Sequence, residues 1–225
     1  MTTTQNLLVE LFVEELPPKA LKKLGESFAG TLAASLKASG LAGADAVVTP
    51  FASPRRLAVH VTGVAAKAAD KAVQQKLMPV AVALTADGQP TPALLKKLAA
   101  VGADASVVPS LKRLPDGKAE ALFLDSLVPG ATLVEGLQKA LDEALAKLPI
   151  PKVMTYQLAD GWSSVNFVRP AHGLVALHGD DLVNIATLGL TAGRTTSGHR
   201  FEAANPTVTL RHADTYAEQL ASEGA

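Results

Sequence analysis

The 225-residue sequence contains no cysteine, few aromatic residues and no excess of charge of either sign. The absence of cysteine excludes disulfides, thiolate metal sites and thiol nucleophiles, and it fits a reducing compartment. The 21 basic and 21 acidic residues give a formal net charge of zero, so no global field draws the chain onto nucleic acid or an anionic membrane. Any site for an anion must therefore come from a local cluster of basic residues.

Long apolar runs are also absent. Charged residues such as Glu120, Asp125 and Asp180 interrupt the most apolar regions before any run reaches the roughly 18 uncharged residues of a membrane span. The first residues lack the basic flank and the uninterrupted apolar stretch of a signal peptide. We therefore expect a cytoplasmic protein without a membrane partner.

Hydrophobic residues make up 48% of the chain, enough for a core without metal or disulfide clamps. Apolar residues three or four positions apart predict helices that begin near residues 18, 91, 132 and 212. Thr132 and Glu135 form a predicted capping box for the third of these. Short apolar runs predict strands at 6–13, 46–51, 57–61, 111–114, 119–124, 164–168, 173–178 and 182–190.

These elements predict an α+β fold in which antiparallel strands pack with several helices, since strands and helices do not alternate regularly. All the clusters of basic residues fall in two stretches, 1–65 and 153–225. We expect these stretches to form one basic-loop lobe, with residues 66–152 as an inserted lobe. The linkers are expected at 64–72 and 149–152, the second of which contains two prolines.

Basic and imidazole side chains concentrate in three clusters at predicted turns or strand ends. An arginine presents a planar fork of donors that matches phosphate, which makes phosphate a sensible ligand class. The alternative is that each arginine holds a neighbouring loop through carbonyl or carboxylate groups. The clusters are Arg55 with Arg56, Arg169 with His172, and Arg194 with His199 and Arg200.

No pattern in the sequence identifies a catalytic or metal-binding residue. None of the five histidines has the spacing of a metal site, and neither a phosphate-binding P-loop nor a nucleophile elbow is present. Glu14 and Glu15 are adjacent, and neighbouring side chains of an extended chain point to opposite faces. For these carboxylates we expect a role at the start of the following helix.

Five strings of residues occur in one order and together resemble the N-terminal part of the beta subunit of bacterial glycyl-tRNA synthetases. The resemblance covers nearly the whole chain and is weakest over residues 74–110. The sequence departs from the family's pattern at Leu11-Phe12-Val13, where the family has Ile-Gly-Thr, and at Thr155-Tyr156, where it has an aromatic-basic pair. The strings are EELPPKAL at 14–21, PRRLA at 54–58, KLPIPK at 147–152, FVRP at 167–170 with His172, and GHRF at 198–201.

The resemblance implies an aminoacyl-tRNA synthetase made of two alpha and two beta subunits, which joins glycine to its tRNA using ATP. In this family the alpha subunit holds the aminoacylation site, and the beta subunit handles tRNA and supports assembly. The chain is then an N-terminal portion that is inactive alone and binds no cofactor itself, with the alpha subunit and the tRNA for glycine as partners. The expected RNA or interface contacts are Arg55, Arg56, Arg169, His172, Arg194, His199 and Arg200.

Two alternatives stay open from the sequence. The chain can be a purely structural module that docks on the alpha subunit, a reading that the zero net charge favours. It can also be an independent enzyme for a phosphate-containing substrate, with His172 or His199 as the acid–base group and arginines as clamps. The sequence does not distinguish the surface that meets tRNA from the surface that meets the alpha subunit.

Overall fold

A computed structural model describes residues 3–117, 119–150 and 152–225. Lys118, between the predicted strands at 111–114 and 119–124, and Pro151, in the predicted linker at 149–152, lie outside the described residues. The strands are β1 (Thr4–Val13), β2 (Val48–Ser53), β3 (Arg56–Ala65), β4 (Lys71–Pro79), β5 (Lys112–Asp116), β6 (Ala119–Val128), β7 (Met154–Gln157), β8 (Ser164–Phe167), β9 (Ala171–His178), β10 (Asp181–Leu182), β11 (Ala186–Thr187), β12 (Leu190–Thr191), β13 (Thr195–Ser197) and β14 (Thr207–Thr209). The helices are α1 (Leu21–Ala38), α2 (Val80–Ala83), α3 (Pro92–Ala100), α4 (Leu133–Ala146) and α5 (Tyr216–Glu223), with 3-10 helices at Ala105–Ser110 and Ala213–Thr215.

The chain forms two compact units, one of residues up to 69 together with 130–225 and one of residues 70–129. The second unit is shorter than the inserted lobe of 66–152 that the sequence predicts, because α4 packs against α1 in the first unit. The Ala68 N–H donates to the Ala131 carbonyl at 2.9 Å, and the Leu133 N–H donates to the Ala66 carbonyl at 2.9 Å. The second boundary therefore precedes α4 rather than following it.

A five-stranded antiparallel sheet in the order β10-β9-β1-β3-β2 forms the centre of the first unit. The central strand β1 is buried from Leu7 to Val13 because both faces of the sheet are covered. Leu7, Val9 and Leu11 belong to the core that contains α1 and α4. Leu8 belongs to a second core on the opposite face, with residues of β14 and α5. The two-residue repeat of a strand thus sends alternate side chains into different cores.

The two long helices of the first unit follow from their sequence patterns. In α1 the buried face includes Leu24, Phe28, Leu32 and Leu36, which are spaced four residues apart. The predicted capping box of α4 is confirmed, because the Thr132 hydroxyl accepts the N–H of Glu135 while the Glu135 carboxylate accepts the N–H of Thr132. A predicted terminal helix from residue 212 is also present as α5 with a preceding 3-10 turn.

The predicted strand at 182–190 is wrong. The structure divides this segment into β10, β11 and the start of β12, and Thr187 pairs with Leu190 across a two-residue turn. Both turn residues have positive φ, +52° at Leu188 and +77° at Gly189. A positive φ at both central positions is the geometry that closes a tight hairpin, so the apolar run folds back on itself.

The second unit has its own sheet, in the order β4-β6-β5, and its own core. The Thr91 hydroxyl accepts the N–H of Leu94 at the start of α3, as its Thr-Pro sequence predicts. Leu94 and Leu98 of α3 pack with Leu122 of β6. The strand β4 was not predicted, because polar residues interrupt its apolar ones and its first six residues are all exposed.

Helices and antiparallel sheets are both present, which confirms the predicted α+β fold class. Among the described residues, no helix is long and apolar enough to cross a membrane.

Candidate functional site

Most of the predicted contact residues lie at one end of the five-stranded sheet, which we call the basic end. Val13 at the end of β1 pairs with Ala171 at the start of β9, and Phe12 pairs with Arg56 at the start of β3. The antiparallel register therefore brings the start of β9 and the β2–β3 turn to the same edge. The basic end comprises Arg55, Arg56, Arg169, His172, His199 and Arg200.

Arg56 belongs to a buried polar network. Its Nε lies 3.3 Å from Oε2 of Glu10, which is 1% exposed, and its Nη2 donates to the Ser197 carbonyl. The hydroxyls of Thr196 and Tyr216 donate to the same carboxylate. A buried ion pair needs such additional hydrogen bonds, because the pair alone does not repay the loss of hydration. Arg56 therefore connects β3 to β1 and β13.

Tyr216 closes this network from α5. Burial raises the pKa of its phenol far above the ordinary value of 10.0, and the negative charge of Glu10 raises it further. The neutral phenol is thus the form that donates to the carboxylate. Phe51 of β2 packs edge-on against the Tyr216 ring, with centroids 5.2 Å apart. This side chain connects α5 to the sheet through both a polar and an aromatic contact.

Glu14 holds two further members of the basic end. Its Oε1 lies 3.5 Å from Nη2 of Arg55 and 2.9 Å from Nε2 of His172. The guanidinium of Arg55 also lies over the Phe12 ring, 4.8 Å from its centroid, as a cation–π contact. The expected role of Glu14 at a helix start is therefore wrong, and the first turn of α1 contains no acidic residue. The pairing leaves the Arg55 side chain 25% exposed.

The guanidinium of Arg169 donates hydrogen bonds to backbone carbonyls. Its Nε donates to the carbonyl of Glu15 at 3.0 Å, and its Nη1 donates to the carbonyl of Val168 at 3.0 Å. The same Nη1 contacts the sulfur of Met154 at 3.3 Å. The guanidinium thus ties the segment after β1 to the start of β7 and the end of β8.

His199, Arg200 and Phe201 form the exposed part of the basic end, which we call the 199–201 loop. Phe201 is 85% exposed, and the guanidinium carbon of Arg200 lies 5.5 Å from the centroid of its ring. The His199 ring contacts Phe201 edge-on at 6.5 Å. A cavity of about 210 Å³ lies beside the loop, and Arg55, His199, Arg200 and the backbone of Gly198 line it. Cationic donors and an aromatic face are therefore available to a ligand here.

Arg194 does not belong to the basic end, contrary to its predicted grouping with His199 and Arg200. Its Nη2 donates to the carbonyl of Asp180 at 2.9 Å, in the turn between β9 and β10. That turn lies at the opposite end of β9 from Ala171. Strand β13 lies between Arg194 and the 199–201 loop along the chain and separates the two in space. The side chain of Arg194 therefore supports the β9–β10 turn instead.

The sequence interpretation missed three residues that organise this region: Glu10, Phe12 and Tyr216. Glu10 is the only charged residue between Leu7 and Val13, and a carboxylate inside an apolar strand is a signal of a buried partner. Nothing in the sequence indicated Tyr216 as that partner, because it lies on α5 at the far end of the chain. Within residues 3–117, 119–150 and 152–225, no three His, Asp or Glu side chains gather as a metal site.

Comparison with known proteins identifies the family. A family model described as glycyl-tRNA synthetase beta subunit matches residues 7–225. Glycine–tRNA ligase beta subunits from Leptothrix cholodnii and Acidovorax ebreus are 88% and 71% identical over 98% of this chain. The chain spans 31% of the length of each of these two relatives. Through this match over nearly its whole length, the chain belongs to the glycyl-tRNA synthetase beta subunit family.

Proposed function

We propose that this chain is a noncatalytic, tRNA-contacting and assembly portion of a glycine–tRNA ligase, and that the 199–201 loop is its RNA contact. In this proposal the alpha subunit joins glycine to its tRNA using ATP, and the beta subunit supplies binding surface. The family membership supports a role within the ligase. The contact itself is argued from the geometry of the basic end.

The observation that carries the proposal is the exposed Arg200–Phe201 pair beside the cavity at the basic end. An exposed aromatic ring stacks on a nucleobase irrespective of its identity, and a nearby guanidinium binds the phosphate. Base stacking contributes about 1–3 kcal/mol per base. Phe201 and Arg200 therefore supply both of the contacts that a single-stranded stretch of RNA needs.

The predicted contact residues fall into two groups, according to whether their side chains already bind other groups of the protein. Arg56 and Arg169 hold protein groups, and Arg194 supports a distant turn. Arg200 has no ion pair among the described residues, and Arg55 keeps part of its guanidinium exposed at the cavity. We therefore assign RNA contact to Arg200 and Phe201, with Arg55 and His199 beside them.

The test uses the full-length beta subunit in complex with the alpha subunit and measures tRNA affinity at several salt concentrations. Arg200→Ala is expected to weaken binding by about 1 kcal/mol and to reduce the salt slope by about one. Phe201→Ala is expected to weaken binding by about 1–3 kcal/mol without changing the slope, because no phosphate contact is lost. Arg113→Ala, an exposed cation in the second unit, is the charge-matched control.

A purely structural docking module is the second candidate, and the pairing of Arg55 with Glu14 and of Arg56 with Glu10 favours it. Arginines that are neutralised by carboxylates attract phosphate less strongly. If tRNA affinity and its salt slope are unchanged in both loop variants, while association with the alpha subunit is lost, the docking function replaces the RNA-contact function.

A further inference from the structure

Arg55 differs from Arg56 and Arg169, its neighbours at the basic end, in how its guanidinium is held. Those two arginines donate hydrogen bonds to backbone carbonyls. The Nη2 of Arg55 instead lies 3.5 Å from Oε1 of Glu14, farther than the roughly 2.7–2.9 Å of a charge-assisted hydrogen bond. The Nε of Arg55 is buried without a hydrogen-bond partner among the described residues. Because buried donors are normally paired, this guanidinium has binding capacity left for a ligand in the cavity that it lines.

Glu14 neutralises the charge of Arg55 but also has a second partner. Its Oε1 lies 2.9 Å from Nε2 of His172, and its side chain is 40% exposed, so it can shift without disturbing a core. The guanidinium of Arg55 lies over the Phe12 ring, 4.8 Å from its centroid, and this contact does not involve Glu14. If Glu14 leaves Arg55, the carboxylate therefore keeps His172 and the guanidinium keeps Phe12.

The cavity beside Arg55 favours an anion. Arg55, His199 and Arg200 line it, and no acidic residue is among the described residues around it. Glu202, whose carboxylate lies 3.8 Å from Nδ1 of His199, is 79% exposed and does not line the cavity. Each phosphate of RNA carries a negative charge and fits the same fork of guanidinium donors as a carboxylate does. Phosphate and Glu14 are therefore alternative partners of Arg55.

We propose that Glu14 competes with RNA at the basic end: a phosphate of the bound RNA displaces Glu14 from Arg55, and the carboxylate stays with His172. The proposal rests on the proposed function, which brings RNA to the 199–201 loop beside the same cavity. In the free chain, Glu14 lowers the attraction of Arg55 for phosphate. Removing the charge of Glu14 therefore strengthens RNA binding, whereas removing a residue with a purely structural role would weaken binding or leave it unchanged.

The test measures tRNA affinity at several salt concentrations, with the full-length beta subunit assembled with the alpha subunit. Glu14→Gln keeps the shape of the side chain and is expected to tighten binding about two- to fivefold, within the range that an exposed ion pair contributes. The salt slope is expected to steepen by up to about one, because Arg55 then makes a phosphate contact. Glu15→Gln removes the same charge from the adjacent, exposed side chain and is expected to keep the wild-type affinity and slope.

A double variant assigns the gain in affinity to Arg55. In the Glu14→Gln background, Arg55→Ala is expected to abolish both the tighter binding and the steeper salt slope. Equal affinities of Glu14→Gln and wild type overturn the proposal. A tightening that Glu15→Gln reproduces, or that survives Arg55→Ala, overturns it as well, because the gain would then come from the overall charge of the chain.

The loop variants separate this result from the proposed function. If Arg200→Ala and Phe201→Ala weaken tRNA binding while Glu14→Gln leaves it unchanged, the RNA contact stands and the competition by Glu14 is wrong. If neither loop variant changes tRNA binding, the RNA contact of the 199–201 loop is wrong, whatever the result for Glu14→Gln.

Discussion

At the scale of single residues, one carboxylate explains how the basic end is built. Glu10 is buried in the central strand and gathers Arg56, Thr196 and Tyr216 from three other parts of the chain. Removing one partner of such a network leaves a buried charge or acceptor without a hydrogen-bond partner. This lowers the free energy of unfolding more than replacing the whole network by apolar residues would. Glu10 therefore specifies which segments meet at this face of the sheet.

The first prediction concerns the alkaline stability of the chain. The pKa of Tyr216 is higher in the folded state than in the unfolded state. The phenol of the folded protein therefore keeps its proton at pH values at which the phenol of the unfolded chain has lost it. Stability from this group is therefore fully present below pH 10 and decreases as the pH rises above it, with a slope of at most about 1.4 kcal/mol per pH unit. Denaturant unfolding of the chain between pH 8 and 11 measures this slope.

The variant Tyr216→Phe isolates that contribution. We expect it to lower the free energy of unfolding at pH 8 by about 1–3 kcal/mol, because Glu10 loses a donor. Above pH 10 the variant should lose stability less steeply than the wild type. Identical slopes in Tyr216→Phe and wild type contradict the prediction.

At the scale of elements, two glycines of α1 have opposite roles. A Cβ at Gly25 would lie 2.6 Å from the Cβ of Ala52 in β2, whereas a Cβ at Gly30 meets nothing within 4 Å. Gly25 therefore allows the helix to approach the edge of the sheet closely. Gly30 is an exposed helical position where glycine only costs conformational entropy.

This contrast yields the second prediction. Gly25→Ala is expected to lower the free energy of unfolding by about 1–3 kcal/mol through overpacking. Gly30→Ala on the same helix is expected to raise it by about 0.5–1 kcal/mol. Urea unfolding of both variants is the measurement, and changes of the same sign in the two variants contradict the packing described here.

The elements that sequence predicts well are those whose signals are local. The capping box at Thr132 and the four-residue apolar spacing of α1 depend only on neighbours along the chain. The strand β4 could not be predicted in this way, because its exposed polar residues carry no alternation. The turn at Leu188–Gly189 was missed because leucine seldom adopts a positive φ, and the surrounding hairpin overrides that preference.

At the scale of the whole molecule, the candidate site depends on a register that the sequence does not display. Each of the three basic clusters is visible in the sequence. Only the pairing of β1 with both β3 and β9 shows that two of these clusters and the His199–Arg200 pair lie at the same end of the sheet. The same register separates Arg194 from them. Glu14 pairs with Arg55 and Glu10 pairs with Arg56, and these ion pairs also become apparent only in the folded sheet.

The third prediction follows from the proposed division of labour between subunits. The full-length beta subunit alone is expected to show no glycine-dependent ATP–pyrophosphate exchange, and addition of the alpha subunit is expected to restore it. Arg55 and Arg56, the paired guanidiniums that could neutralise a triphosphate, are held by Glu14 and Glu10. Robust exchange by the beta subunit without the alpha subunit contradicts the assignment of the chemistry to the alpha subunit.

The discontinuous first unit has a consequence for biosynthesis. Because β1 lies between β3 and β9, its second edge receives a partner only after the ribosome has translated the entire 70–129 unit and α4. The nascent chain therefore carries an apolar strand with an open edge throughout the translation of the second unit. Release of a truncated chain before β9 would expose that edge to aggregation.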